Sequence, residues 1–280
     1  MRADIHTHSV ASDGTDTPAA LVAAAAQAGL DVVGLTDHDT TRGWAEAEAA
    51  AVVHGVALVR GAELSCRADG TSVHLLAYLY DAADPALLAE ADRIRASRRD
   101  RARAMVDRIA VDHPLTWDDV AAQAQEGATI GRPHIADALV AAGLVPDRGA
   151  AFASMLATSS PYYVPYYATD LLDAVRMVRA AGGVPVMAHP GAAARGRIVT
   201  DATIRAAAEA GLAGLEVLHR DNPPAQRARL TTLAAELGLL VTGASDYHGA
   251  GKPNRLGEYT TAPDVLARLV AQGRLPVVQP

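Results

Sequence analysis

Asp4-Ile5-His6-Thr7-His8 sets two imidazoles two residues apart near the amino terminus. If Arg2–Thr7 is a strand, alternate side chains share a face, so His6 and His8 point the same way. Two imidazoles converging on one side can hold a metal ion. Asp13, in Ser12-Asp13-Gly14, adds a carboxylate a short distance on. His38, Glu63, His74, His189, Asp246 and His248 recur along the chain in short polar motifs. A single zinc-like ion takes three or four protein ligands. These nine residues therefore exceed one ion, whereas two or three divalent ions sharing a carboxylate would use them all. Closely spaced ions clamp the attacking and leaving oxygens of a phosphoryl displacement. No cysteine joins the set, which leaves zinc, manganese and iron open.

The elements that must position these groups form a repeat. Thr17-Pro18 opens a helix that Gly29 stops, and the apolar run Leu30–Thr36 leads into Asp37-His38-Asp39. A helix from about Thr169 stops at Gly182-Gly183, and Val184–Ala188 runs into His189-Pro190. Leu212–Leu218 runs into His219, and Leu239–Ala244 into Ser245-Asp246-Tyr247-His248. Val56–Gly61 ends near Glu63, and Val73–Tyr78 begins with His74. Helices alternating with near-continuous apolar strands predict a parallel sheet covered on both faces. In α/β barrels the carboxyl edge of the strands carries the chemistry. One His at a strand end is commonly a hydrogen-bonded structural residue, but the repetition at one topological position predicts a shared mouth.

The interval from Tyr78 to Thr169 breaks this rhythm. It reads as helices: a long, charged one over Pro85–Val111, then Trp117–Gln125, Pro133–Ala142 and Pro146–Leu156. The expected organisation is a barrel over 1–80 and 168–280 with a helical insertion over 81–167. The arginines of the long helix are most simply a solvated face.

Composition agrees with a globular chain of 280 residues, half of them apolar. Apolar runs are short and broken, so no membrane segment is expected, and the first residues do not read as a signal peptide. The net charge of −7 argues against a broad surface for long duplex nucleic acid. It leaves room for a small anionic substrate, because bound cations reverse the local sign. One cysteine, Cys66, fits a reducing cytoplasmic setting and a buried apolar role.

In these motifs the chain resembles the polymerase and histidinol phosphatase (PHP) family. The matching segments are Asp4–His8 with Ser12-Asp13-Gly14, Thr36–Asp39, Gly61–Ser65 with His74, Ala188-His189-Pro190 and Ser245–His248. The resemblance implies a distorted, TIM-like (β/α)7 barrel. It implies one ion on His6, His8, Glu63 and Asp246, and a second on Asp13, His38 and His189. A third would lie on the bridging Glu63 with His74 and His248. The family commonly has histidine where Asp13 stands. An added carboxylate makes that site harder, which favours manganese, with iron or zinc as alternatives. Gly131-Arg132-Pro133-His134 opens a helix after Thr129, and a helix amino terminus with an Arg fork can seat phosphate. This segment, and Leu215–His219, look like the branch acting on nucleotide 3′,5′-bisphosphates and short 5′-phosphorylated oligonucleotides.

The expected activity is hydrolysis of phosphomonoesters by a metal-held hydroxide, with possible exonucleolysis of short strands. Arg132 and His134 would hold a second phosphate, and Arg195, Arg197 and Lys252 would add positive potential. His219 or His248 would protonate or polarise the leaving oxygen. Asp37 is expected to orient a histidine ligand. Rival readings are a histidinol-phosphate phosphatase, a cyclic-phosphate diesterase, a metal-binding module without turnover and an amidohydrolase. The last would need a ligating lysine, and the only lysine, Lys252, follows the final ligand.

Overall fold

The computed structural model describes residues 1–280. Its strands are β1 (Ala3–Thr7), β2 (Val32–Leu35), β3 (Ala57–Ala68), β4 (Thr71–Tyr78), β5 (Thr169–Asp170), β6 (Val184–Met187), β7 (Gly214–Leu218) and β8 (Leu240–Gly243). Seven of them form a nearly closed, barrel-shaped sheet in the order β1-β2-β3-β4-β6-β7-β8, while β5 pairs with β3 off this path. The barrel helices are α1 (Pro18–Gln27), α2 (Trp44–His54), α7 (Leu171–Ala180), α8 (Asp201–Glu209), α9 (Pro224–Leu237) and α10 (Pro263–Val270). Between β4 and β5 lie α3 (Pro85–Ile109), α4 (Trp117–Ala121), α5 (Arg132–Ala141) and α6 (Arg148–Ala153).

The expected all-parallel sheet needs one correction. β1, β2 and β3 are parallel, as are β6, β7 and β8, but β4 runs antiparallel to both β3 and β6. The cause is the two-residue turn Asp69-Gly70, both with positive φ (49° and 72°), which folds β3 and β4 into a hairpin. Reversal puts the start of β4 at the mouth, so His74 reaches it from an early strand position.

Alternation along the strands separates two layers. Ala3, Ile5, Val59, Leu76, Tyr78, Val184 and Val186 pack together inside the barrel. Val33, Leu35, Leu58, Leu75 and Leu215 face the helices in a larger cluster with Leu21, Ala47, Val175 and Leu230. On β1 the register against β2 shifts between Asp4 and Thr7. Such a shift lets consecutive residues share a face, so Ile5 fills the interior and His6 still turns inward.

The barrel closes without a continuous β8–β1 ladder. His8 donates its amide to the Tyr247 carbonyl at 2.8 Å, and Asp4 accepts the amides of Ser245 (3.0 Å) and Gly257 (2.8 Å). The helices between β4 and β5 have an apolar centre of their own, including Met105, Ile109, Leu115, Ile135, Leu139 and Leu156. No helix of the chain is long and apolar enough to cross a membrane.

Candidate metal centre

Strand ends bring the His and carboxylate residues into one buried mouth. Three groups have ligand atoms close enough to share an ion: His6, His8, Glu63 and Asp246; His8, Asp13, His38 and His248; and His38, Glu63 and His74. Glu63 sits between them. Its Oε2 lies 3.2 Å from His6 Nε2, 3.0 Å from His8 Nε2 and 3.4 Å from His38 Nδ1. Its Oε1 lies 2.7 Å from His74 Nδ1 and 3.3 Å from His189 Nε2.

The first grouping matches the partition implied by resemblance; in the others His248 falls with Asp13 and His38, and His189 falls in none of the three groups. His248 Nε2 lies 3.2 Å from Asp13 Oδ1, so His248 joins Asp13 and His38. His189 stands on the Glu63–His74 side, with its ring 5.5 Å from that of His74. The reason is local backbone. His189 takes a positive φ of 31° and Asp246 one of 55°, so each loop turns sharply at the strand end. Backbone strain of this kind persists where surrounding structure imposes it.

Protonation states suit cation binding. Despite burial, the histidines around them hold the carboxyls of Asp13 and Glu63 well below the usual carboxylate range. Asp246 is held down likewise, chiefly by Lys252, His248 and Arg195. Burial pushes His38 and His189 well below the ordinary imidazole value, and His248 down to about 4. Ionised carboxylates facing these neutral imidazoles are ligand forms a divalent cation requires. His6 and His8 differ: despite burial, the carboxylates around them push His6 well above the ordinary imidazole value and His8 up to about 9, so a cation there must displace a proton. His38 Nδ1, His74 Nδ1 and His248 Nε2 are buried without a conventional hydrogen-bond partner. Buried polar atoms are otherwise satisfied, so this donor set fits ions at the mouth.

Tautomers are set from behind. The Glu216 carboxylate accepts from His6 Nδ1 at 2.8 Å and from the His189 amide at 2.9 Å. His6 thereby turns the lone pair of Nε2 to the mouth. His248 Nδ1 lies 2.8 Å from the Asp246 carbonyl, which directs Nε2 toward Asp13 in the same way. His219 is the reverse case. Its Nδ1 accepts from the Asp221 amide at 3.0 Å, so the proton sits on Nε2, which is buried and unpartnered. That N–H lies 3.6 Å from Asp246 Oδ2.

The remaining expected residues divide. Asp37 contacts no grouped ligand atom at close range; it accepts from the Ser9 amide (2.8 Å), the Ser9 hydroxyl (2.6 Å) and the Ser12 hydroxyl (2.6 Å). It ties down the loop from His8 to Asp13 and does not line the mouth as a reacting group. Arg195 reaches the mouth, but its fork is engaged by Asp221 (2.6 Å) and Asp246 Oδ2 (2.7 Å). Lys252 joins it on Asp246 Oδ2 at 3.0 Å. Arg197 is exposed beside the β3–β4 hairpin tip, near Gly70, and has no ion pair there.

Arg132 and His134 diverge. His134 turns Nδ1 back to accept the Gly131 amide at 3.2 Å, and burial lowers its affinity for a proton. Arg132 donates to the Leu156 carbonyl at 3.0 Å and lies between the rings of Phe152 and Tyr163. The amide of Thr129 donates to the Ala11 carbonyl at 3.2 Å, which brings the start of α5 to the loop carrying Asp13.

The solvated-face reading of α3 needs correcting. Arg98 and Arg101 are each only 5 % exposed. Arg98 donates to Asp39 Oδ2 at 3.1 Å and to Ser65 Oγ at 2.8 Å, both beside metal-site residues. The signal was present in the spacing: Ile94, Arg98, Arg101 and Met105 recur at helical intervals on one stripe. Glu216 lies within the Leu215–His219 resemblance, but nothing in its apolar strand pointed to its role behind His6.

Comparison with known proteins agrees with this fold. The PHP domain profile matches residues 4–110. A crystal structure from Bifidobacterium adolescentis, assigned as a metal-dependent phosphoesterase, superposes with a TM-score of 0.95 at 47% identity, covering 97% of this chain and 96% of that one. The 3′,5′-nucleoside bisphosphate phosphatase of Chromobacterium violaceum is 34% identical, over 90% of this chain and 89% of the relative. A 5′-3′ exoribonuclease of Haemophilus influenzae is 33% identical, over 88% and 89%. The chain therefore belongs to the PHP family of metal-dependent phosphoesterases.

Proposed function

We propose that the chain hydrolyses phosphomonoesters of small nucleotides that carry a second phosphate. Nucleoside 3′,5′-bisphosphates and short 5′-phosphorylated oligoribonucleotides are the candidate substrates. The observation that carries this reading is the shared Glu63, whose two oxygens face separate histidine groups, with Arg98 of α3 held on Asp39 and Ser65 beside them. Similarity to a bisphosphate phosphatase and an exoribonuclease supports the substrate class.

Three ions fit the donors. His6, His8, Glu63 and Asp246 would hold one; Asp13, His38 and His248 a second; Glu63, His74 and His189 a third. The carboxylate of Asp13 makes the second site oxygen-rich, which favours manganese. Ions bound there supply Lewis-acid polarisation of the phosphoryl oxygens and an activated water. The protein's own groups do the positioning. Glu216 orients His6, and Asp37 fixes the loop that carries Asp13. His219 would present its Nε2–H as a hydrogen-bond donor that polarises the departing oxygen without giving up the proton. The segment 81–167 acts as a cap, and Arg132 holds the phosphate that is not cleaved. Fixing both ends of a substrate converts binding into orientation of the reacting centre.

The test is a product screen of the manganese-loaded protein with a nucleoside 3′,5′-bisphosphate, a nucleoside 5′-monophosphate and a 5′-phosphorylated dinucleotide. Release of the 3′-phosphate from the bisphosphate, well above release from the monophosphate, is expected. Equal turnover of mono- and bisphosphate would remove the two-phosphate reading.

A further inference from the structure

Arg227 is a cation on α9 that pairs with no acid. The carboxylates of the neighbouring segments are taken: Asp221 pairs with Arg195, and Glu258 with Arg220. The donors of Arg227 go to one short loop instead. Nε donates to the Asn222 carbonyl at 2.7 Å, and Nη2 to the His219 carbonyl at 2.8 Å. Nη2 also donates to the Tyr259 hydroxyl at 2.7 Å, and the guanidinium lies 4.7 Å from the centre of that ring. The fork thus spans both ends of the turn His219–Asn222, which the Asn222 amide closes onto the His219 carbonyl at 3.2 Å. The far end of the turn is fixed independently. Asn222 is fully buried; its Nδ2 donates to the carbonyls of Glu216 and Val217, and its Oδ1 accepts the Gly191 amide. At the near end, Arg227 is the one donor from outside the turn to the His219 carbonyl. Inside the turn the Asp221 amide keeps His219 Nδ1 an acceptor, so the proton stays on Nε2, which is buried without a partner. Charged donors make the stronger hydrogen bonds, and a planar guanidinium holds two acceptors in a fixed relation.

We propose that Arg227 is a positioning residue for the hydrolysis: it clamps the His219–Asn222 turn so that His219 Nε2–H stays aimed at the departing oxygen. In that step the oxygen of water bonds to phosphorus while the ester P–O bond breaks, and its electron pair passes to the departing oxygen. A fixed donor stabilises this growing charge without losing its proton. Without the clamp the turn opens and the Asp221 amide leaves Nδ1. The ring is then free to take the other tautomer, which presents a lone pair to the departing oxygen in place of a donor. The defect is selective. Substrates whose departing oxygen is strongly basic suffer, and those that release a stable anion do not. The clamp rests on the role of His219 proposed above and adds the group that holds it there.

Two measurements on the metal-loaded, full-length protein test the clamp. The first is turnover along a series from 4-nitrophenyl phosphate through phenyl phosphate to an alkyl phosphate, in which the departing oxygen grows more basic. Arg227→Gln is expected to lower kcat about tenfold for the alkyl phosphate and less than about twofold for 4-nitrophenyl phosphate, with KM unchanged. In a His219→Ala background the same substitution is expected to add nothing. Equal losses along the series, or a full additional loss in that background, would overturn the proposal. The second is nitrogen NMR of zinc-loaded protein carrying isotope-labelled histidine, with the His219 ring assigned by its disappearance in His219→Ala. The wild type is expected to show the Nε2–H tautomer alone, and Arg227→Gln a mixture. An unchanged tautomer in the variant would also overturn the clamp. Arg227→Lys reaches one carbonyl at a time and is expected to restore part of both signals. It carries the test should the glutamine variant fail to fold. Should His219→Ala itself lose kcat equally along the series, the donor reading of His219 falls and the clamp with it. A graded loss in His219→Ala with none in Arg227→Gln removes the clamp alone.

Discussion

Glu216 shows how one carboxylate serves two donors. It takes the His6 Nδ1 proton on one oxygen and the His189 amide on the other, fully buried. Glu216→Gln presents one acceptor and one donor, so one of these two contacts must fail. The expected result is a 10–100-fold weaker metal affinity, measured by manganese titration of the chelator-stripped variant. Wild-type affinity in that variant would show that His6 is oriented by packing alone. The metal-ligating types themselves were legible in the chain. His6, His8, Asp13, His38, Glu63, His74, Asp246 and His248 recur at strand ends, and the structure brings all of them together. Which group of candidate ligands each faces was not legible for His189 and His248. That choice depends on how the loops turn at residues with positive φ, and residue type does not encode it. The roles of Glu216 and Arg101 were missed for a related reason: each is a charge placed inside an apolar pattern, and its partner is remote in sequence.

At the scale of elements, β1 and β2 approach each other through Gly34. A Cβ there would stand 2.3 Å from the Ile5 carbonyl oxygen, at the register shift that turns His6 inward. Gly34→Ala must push β1 away, and the expected cost is about 1–3 kcal/mol of stability together with weakened metal binding. Urea unfolding with and without manganese measures both. Gly55→Ala is the matched control. Gly55 ends α2 with φ 68° and open space around its Cα, so the added methyl strains only the local backbone. Its expected cost is about 1–2 kcal/mol, with metal affinity unchanged. Equal effects on metal binding in the two variants would show that the β1 shift does not position His6. The helices and most strands followed from caps, glycine stops and apolar runs. The reversed β4 did not, although Asp69-Gly70 is a hairpin turn sequence, because the repeat of βα units suggested parallel pairing throughout.

Over the whole molecule, the mouth concentrates Asp13, Glu63 and Asp246 with buried imidazoles between β1 and β8, where no continuous ladder closes the barrel. Closure there depends on the Asp4 contacts and on the His8–Tyr247 hydrogen bond, both next to metal-site residues. Ions held by His6 on β1 and His8 just after it, and by Asp246 and His248 after β8, would therefore cross-link the two edges. The unfolded chain offers no such arrangement, so binding stabilises the folded state by mass action. At a hundredfold excess over Kd each ion contributes about 2.7 kcal/mol. For a chain of this size that corresponds to roughly 5–10 °C in Tm per ion. Melting of the manganese-loaded protein with and without excess chelator measures this directly. His6→Ala and His248→Ala, on opposite edges, should each lower Tm of the loaded protein and shrink its response to chelator. The helices between β4 and β5 have their own apolar centre but are held to the mouth through Arg98–Asp39 and Thr129–Ala11. Metal removal should therefore also speed proteolysis in the loops joining them to the barrel. A chelated protein that melts at the same temperature as the loaded one would mean that the ions act in chemistry alone and not as the clasp between β1 and β8.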